Sequence, residues 1–200
     1  MAGDDATEAL AQAGTLRAMF QARRYQHCPT CGGQIEYRVP ADDNRERATC
    51  TACGAIHYEN PLNVVGTLPV WGDQVLLCKR AIEPRLGKWT LPAGFMELGE
   101  TLAEGAARET VEEAGAQIEL QNLYCVMNVV RVGQVHTFYR AKLLSPTFDP
   151  GPETLEAQLF HEHEIPWDEI AFHTIREALQ RFFEDRRSGN GYPLHTADID

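Results

Sequence analysis

No stretch of this 200-residue chain approaches the 18 or so consecutive apolar residues that a membrane-spanning helix needs, so a membrane partner is not expected. The N-terminus has no apolar signal region, and Asp4, Asp5 and Glu8 argue against an acidic-poor transit peptide. Together these absences predict a cytoplasmic protein. Basic side chains are scarce: 18 lysines and arginines face 29 acidic residues, a net charge of −11. General nucleic-acid binding needs a basic footprint, so that partner class is not expected either. A phosphate-bearing substrate would also be repelled at long range, and local cations must compensate. There is no internal repeat and no low-complexity tract.

Six cysteines are present, and their spacing argues against a disulfide framework. Cys28-x2-Cys31, 18 residues, then Cys50-x2-Cys53 is the spacing of a four-thiolate zinc ribbon. Gly32 and Gly54 follow the pairs and let the chain turn around an ion. A segment this poor in large apolar side chains cannot build its own core, and a metal is the usual remedy. Four thiolates complete a tetrahedron, which leaves His27 and His57 as bystanders. Cys78 and Cys125 lie in apolar runs and are expected to be buried, small hydrophobes.

The segment GFMELGETLAEGAARETVEEAGA, starting at Gly94, carries the chemistry. Thr101 and Glu104 form a T-x-x-E capping box, and Gly115 stands where a C-terminal glycine belongs, so a helix is predicted between them. On that helix Glu109, Glu112 and Glu113 occupy positions i, i+3 and i+4 of one face. They lie near its C-terminus, where the helix dipole disfavours negative charge. A run of acids is usually a solvated helix face. Three carboxylates at these offsets also suit a hard cation, Mg²⁺ or Mn²⁺. Just upstream, Arg80, Arg85 and two lysines supply positive charge, with Arg80 and Arg85 as candidate diphosphate contacts.

A leader is expected at 1–24, the ribbon at 25–60, a catalytic domain at 61–187 and a mobile tail at 188–200. Within the domain, β-rich runs at 63–71 and 74–80 flank a Gly72-Asp73 turn, and a short strand covers 88–91. Longer strands at 118–132 and 134–144 meet at Gly133, and 155–160 returns to strand. A last helix is predicted over 168–187, burying Ile175, Leu179, Phe182 and Phe183. Strands interrupted by one helix and closed by another predict an α+β fold with a mixed sheet.

The segment from Gly94 resembles the Nudix box, G-x5-E-x7-R-E-U-x-E-E-x-G-U, with U a bulky aliphatic residue. Gly94, Glu100, Arg108, Glu109, Glu112, Glu113 and Gly115 match all seven fixed positions. At roughly 7% usage per residue type, such a match arises by chance about once in 10⁸ start points. Thr110 and Ala116 occupy the two U positions and are smaller than the pattern asks. HYENPLNVVG at 57–66, GKWTLPAGF at 87–95, FDPGPETLEAQLF at 148–160 and EIPWDEIAF at 164–172 are similar to plant-type FAD/ADP-ribose diphosphatases and their bacterial relatives. NADH diphosphatases share the layout but carry an SQPWPFP motif, and nothing like it follows Ala116.

The resemblance implies a Nudix-type mixed β-sheet/α sandwich, a homodimer and metal-dependent cleavage of a nucleoside diphosphate linked to another group. FAD or ADP-ribose would give AMP plus FMN or ribose 5-phosphate; NADH or a nucleotide sugar is the alternative. It also implies Glu109, Glu112 and Glu113 as ligands of Mg²⁺ or Mn²⁺, with the Ala93 backbone carbonyl as a further ligand. Arg108 would hold the glutamates, and Glu100 would be its structural partner or an outer-shell group. The general base stays open between Glu112, Glu153 and Glu156. A different class, a non-catalytic ligand sensor using the ribbon as an interaction module, would be expected to have lost box carboxylates, and this chain keeps them.

Overall fold

The structure is a computed structural model that describes residues 24–199; the expected leader thus lies, but for Arg24, outside the described residues. The chain divides into two compact units, one running to Pro61 together with Arg131–Gly133, the other comprising Leu62–Val130 and the residues from Gln134 on. In the first, strands β1 (Ile35–Arg38), β2 (Arg47–Cys50) and β3 (Ile56–His57) form an antiparallel sheet in that order. The polar ADDNRER loop joins β1 to β2 as a tip. Asp43 organises it, accepting from the Asn44 and Arg45 amides and, at 2.7 Å, from Arg47 Nε. Among the described residues of this unit, the buried side chains are small: Cys28, Ala48, Thr49 and Cys50.

The second unit is built on one mixed sheet. Its strands are β4 (Leu62–Trp71), β5 (Gln74–Arg80), β6 (Trp89–Thr90), β7 (Ala93–Phe95), β8 (Ile118–Val129), β9 (Gln134–Leu143), β10 (Thr154–Phe160) and β11 (His195–Asp198). The order is β10-β5-β4-β9-β8-β11, with β6 beside β5 and β7 beside β4. β4/β9 and β8/β11 are parallel. Gly72, with φ 61°, makes the β4–β5 turn, and Gly133, with φ 63°, the β8–β9 turn.

Two helices cover the two faces: α1 (Leu102–Ala114) and α2 (His173–Ser188). The alternation of β5 shows why. Val75 and Leu77 join Ile175, Leu179, Phe182 and Phe183 of α2, whereas Leu76 and Cys78 join Ala114 of α1. Period-2 alternation on a strand feeds both layers, the α+β sandwich expected. Fully buried side chains such as Leu77 and Phe182 typically cost about 2–5 kcal/mol when cut to alanine. Cys78 and Cys125 are buried as expected. Tyr124 and Phe138 belong to this core as well.

Two expectations are corrected. α2 begins at His173 rather than Asp168, because Ala171 N donates to Trp89 O at 2.8 Å and Ile170 bridges to Trp89. That pairing holds the chain extended, and Trp167–Glu169 forms only a 3₁₀ turn. The tail expected to be mobile instead supplies β11. Gly189 ends α2 in the left-handed conformation, as its position suggested. The chain then returns to the sheet: Tyr192 stacks on Phe182, and the Arg140 guanidinium lies 3.5 Å from the Tyr192 ring centre. Asp185 Oδ2 receives the Tyr124 hydroxyl and meets His195 Nε2, both at 2.8 Å. These partners are distant in sequence, so no local pattern announces the strand.

His136 on β9 faces Thr174 Oγ1 at 3.0 Å and Gln134 Oε1 at 2.9 Å. Burial pushes its pKa down to about 4. The unfolded chain therefore takes up a proton near pH 6.5 that the folded chain refuses until about pH 4. Stability should fall across that window as pH drops, by roughly 3 kcal/mol at most. Urea titrations between pH 4 and 7 should show that component missing in His136→Gln; an unchanged slope would refute it.

Candidate active site and zinc site

The four cysteines converge. Their sulfurs all lie within 4.8 Å of one another, with Cys28–Cys53 at 3.8 Å and Cys31–Cys50 at 3.5 Å. A tetrahedral ion with bonds of about 2.3 Å needs sulfurs roughly 3.8 Å apart, so the set fits Zn²⁺. Gly32 (φ 73°) and Gly54 (φ 74°) turn the two knuckles, and the Cys53 amide points at Cys50 Sγ at 3.4 Å. Burial opposes ionisation of Cys28, but His57 and the Thr30 and Cys31 amides outweigh it and bring the thiol down to about 5. The Gly33 amide favours a Cys31 thiolate, yet Cys53 and Cys50 push that thiol up to about 12. Thiols this close ionise together only around a cation, which is what Zn²⁺ supplies.

His57 is no bystander. Its Nε2 lies 3.2 Å from Cys28 Sγ, as an outer partner of a ligand does. His27 makes only a backbone bridge to Gln34. Gly33 was missed by spacing alone: a Cβ there would stand 2.8 Å from Ala52 Cβ and 3.1 Å from Cys50 Sγ.

On α1 the capping box forms in both directions, Thr101 Oγ1 accepting from Glu104 N and Glu104 Oε2 from Thr101 N. Gly115 closes the helix with φ 59°. The glutamates do not simply crowd one face. Arg108 runs between them, with Nη1 bonded to Glu109 at 2.8 Å and to Glu112 at 2.9 Å. Its Nε and Nη2 fork onto Glu100 at 3.0 and 2.9 Å, and Nη2 also reaches Phe95 O. The fork and the Glu97 amide hold the Glu100 carboxyl down to about 2, and Glu100 in turn raises the Arg108 pKa. Arg108 thus ties the end of β7 and Glu100 of the following loop to Glu109 and Glu112 of the helix.

Glu113 turns inward, where Oε2 accepts the Ala93 amide at 3.1 Å. The amide of Ala93 thus fixes a box carboxylate directly. Burial pushes Glu113 up to about 8, against the Ala93 amide, and Glu109 adds to the rise. Burial raises Glu109 too, with Arg108 opposing. Glu109 and Glu113 are buried, while Glu112 is exposed. Buried carboxylates that resist ionisation are a donor set a hard divalent ion would stabilise, so the residues fit Mg²⁺ or Mn²⁺. Gly94 makes room for them: a Cβ there would land 2.4 Å from Glu109 Oε1.

Of the other candidates, Arg80 is half-buried at the end of β5. Its Nε donates to Pro84 O at 2.8 Å and its guanidinium lies 5.2 Å from the Phe172 ring. Burial lowers its pKa, opposed by the charges of Glu113, Glu153 and Glu83. Glu153 also acts on both Glu109 and Glu113. Glu156 instead faces Lys79 at 4.0 Å. Arg85 lies in the loop after β5 with φ 67°.

The Glu153 loop is fastened to the end of α1. Asp149 N donates to Ala114 O at 2.9 Å and Gly151 N to Glu113 O at 3.4 Å. A Cβ at Gly151 would stand 2.1 Å from Glu112 O, and one at Gly115 2.3 Å from Asp149 O. Gly151 was not singled out in the sequence, although a glycine between prolines ahead of a glutamate is the visible trace of this approach.

A family model described as "Nudix N-terminal" matches residues 26–59, and one described as "NUDIX domain" matches residues 61–190. The chain belongs to the Nudix family. A solved Nudix hydrolase from Nitrosomonas europaea is 49% identical, with a TM-score of 0.84 over 88% of this chain and 99% of that one. A NAD-capped RNA hydrolase NudC from Stutzerimonas stutzeri (strain A1501) is 29% identical over 175 residues, 86% of this chain and 60% of its own length. One from Vibrio atlanticus (strain LGP32) is 33% identical over 100 residues, 50% of this chain and 35% of its own length. This Nudix chain therefore spans about a third to three fifths of the curated relatives it matches. No helix among the described residues is long and apolar enough to cross a membrane.

Proposed function

We propose that this Nudix protein is a diphosphatase that hydrolyses the diphosphate bond of a nucleoside diphosphate linked to a second group. The observation that carries the reading is the pair of buried carboxylates, Glu109 and Glu113, on a helix face that Arg108 and the Ala93 amide hold in place. Glu109, Glu112 and Glu113 would hold Mg²⁺ or Mn²⁺, and the four cysteines a structural Zn²⁺. The divalent ion, when bound, neutralises diphosphate oxygens and lowers the pKa of water. Arg108 keeps the box glutamates in position through charged hydrogen bonds. In this reading Arg80 would meet a diphosphate oxygen. Glu153, carried by the loop docked on α1, is the general base in this reading and takes a proton from the attacking water. The new P–O bond forms as the bond to the bridging oxygen breaks, and the second phosphate leaves with that oxygen.

Support for Glu153 over Glu156 is that its loop is fastened to the end of α1 through Asp149 N–Ala114 O and Gly151 N–Glu113 O, while Glu156 faces Lys79. Glu153→Gln should therefore lower kcat by about 10² or more, and Glu156→Gln by less than about threefold. Equal losses in steady-state assays at saturating Mg²⁺ would remove Glu153 from this role.

For substrate, NAD(H) stands first, because relatives matching most of the chain are named for NAD-capped RNA. FAD and ADP-ribose form the second reading, favoured by the absence of SQPWPFP after Ala116 and by the HYENP and PGPETLE segments. A net charge of −11 gives an RNA body little basic surface to follow. The test is a product-resolved screen of NADH, FAD, ADP-ribose, coenzyme A, a nucleotide sugar and a NAD-capped oligonucleotide with Mg²⁺. NADH is expected to give AMP and reduced nicotinamide mononucleotide with the highest kcat/KM, and the capped oligonucleotide to react no faster. FAD or ADP-ribose ahead by tenfold, about 1.4 kcal/mol, would install the second reading. Binding without turnover of any of them would favour a ligand sensor.

A further inference from the structure

The Nudix pattern asks for a bulky aliphatic residue at position 110, and this chain has Thr110. Its hydroxyl is fully buried and lies 2.6 Å from that of Thr67 on β4, also fully buried. The protons in this pair have a direction. Thr110 Oγ1 donates its only proton to Ala106 O at 2.8 Å, so Thr67 must donate to Thr110. Thr67 also anchors the entry to β7, since its amide donates to Pro92 O at 3.1 Å, one residue before the amide that meets Glu113. An O···O contact of 2.6 Å is far shorter than apolar contact permits; two methyl carbons stand about 3.5–4.0 Å apart. The pair therefore lets α1 approach β4 roughly 1 Å more closely than an aliphatic contact would at this point. Gly105, five residues earlier, agrees with close approach: a Cβ there would stand 2.9 Å from Val65 Cγ2.

We propose that the Thr67–Thr110 hydroxyl pair is a spacer that sets how closely α1 lies on β4, and thereby where Glu109 and Glu113 present their carboxylates. Both threonines are positioning residues, and the inference rests on the reading of those glutamates given above. Misplacement by about 1 Å can cost up to about 10²-fold in rate.

The test uses Thr110→Val, Thr67→Val, the double Val variant and Thr110→Ser in the full chain. Thr110→Val leaves the Thr67 hydroxyl without its acceptor and should melt lowest. The double variant removes both hydroxyls and should regain most of the lost melting temperature. Its Mg²⁺ half-saturation should nevertheless stay raised by at least about threefold and its kcat lowered about tenfold, with KM for the dinucleotide unchanged. Thr110→Ser, which keeps the hydroxyl, should restore both. A double variant with half-saturation and kcat within about twofold of the parent would overturn the inference, leaving the pair merely structural. Glu109→Gln and Glu113→Gln run alongside: if they keep full activity, the site reading itself has failed, an outcome distinct from failure of the spacer.

Discussion

Glu113→Gln and Glu109→Gln should each lower kcat by about 10²–10⁴ while leaving the fold intact. In Glu113→Gln the new carboxamide still offers an oxygen to the Ala93 N–H, so the contact that fixes the side chain survives. What disappears is the negative charge that a divalent ion requires. Burial works against that charge in both glutamates, so neither variant should melt below the parent without added metal, and Glu113→Gln should melt above it. Glu112→Gln should lose activity as well, with little change in melting because Glu112 is exposed. Activity within twofold of the parent in all three, at saturating Mg²⁺, would place the metal centre elsewhere. Stability and rate should thus move in opposite directions at Glu113, which a residue serving only the fold would not do.

Cys50→Ser should abolish zinc binding and unfold the ribbon. Freshly purified parent should carry one Zn²⁺ that survives dialysis against Mg²⁺, because thiolates select zinc and carboxylates the harder ion. Structural zinc contributes about 10–16 kcal/mol in ribbon-sized peptides, and here the buried set is little more than Cys28, Cys50, Ala48 and Thr49. Hydrogen exchange should show β1–β3 losing protection while α1 keeps it. His57→Ala should give an intermediate result, with zinc held about 10–100-fold more weakly. Metal analysis finding no zinc in the parent, or full protection of β2 in Cys50→Ser, would sink the assignment.

Local signals were readable and distant partners were not. The capping box, the Gly115 stop, the Gly72 and Gly133 turns and the cysteine knuckles are each specified within a few residues, and each appears where the sequence places it. The α2 stripe of Ile175, Leu179, Phe182 and Phe183 was equally plain from its period. What escaped depends on residues far apart in the chain. Trp89 delays the start of α2, and Asp185, Asn128 and Arg140 recruit β11. The same holds in the site. Three like charges on a helix face suggest repulsion, but Arg108 threads among them, which needs a side-chain path that spacing does not reveal. His57 looked surplus once four cysteines were counted, because counting ligands ignores what orients them.

The pairing of β11 with β8 has a consequence for the order in which the protein is made. Asn128 and Asp198, joined side chain to side chain, are 70 residues apart. On a growing chain β8 gains β9 within a few residues, but its other edge has no partner until residues 195–198 have emerged. For that interval a 12-residue strand presents open backbone groups beside Tyr124, Cys125 and Met127, which the finished fold buries. Open strand edges are where nascent chains stick to one another. A nascent chain halted before Tyr192 should therefore be the form that calls most strongly on chaperones, and residues 192–198 should set the yield of soluble protein more than the activity of each folded molecule.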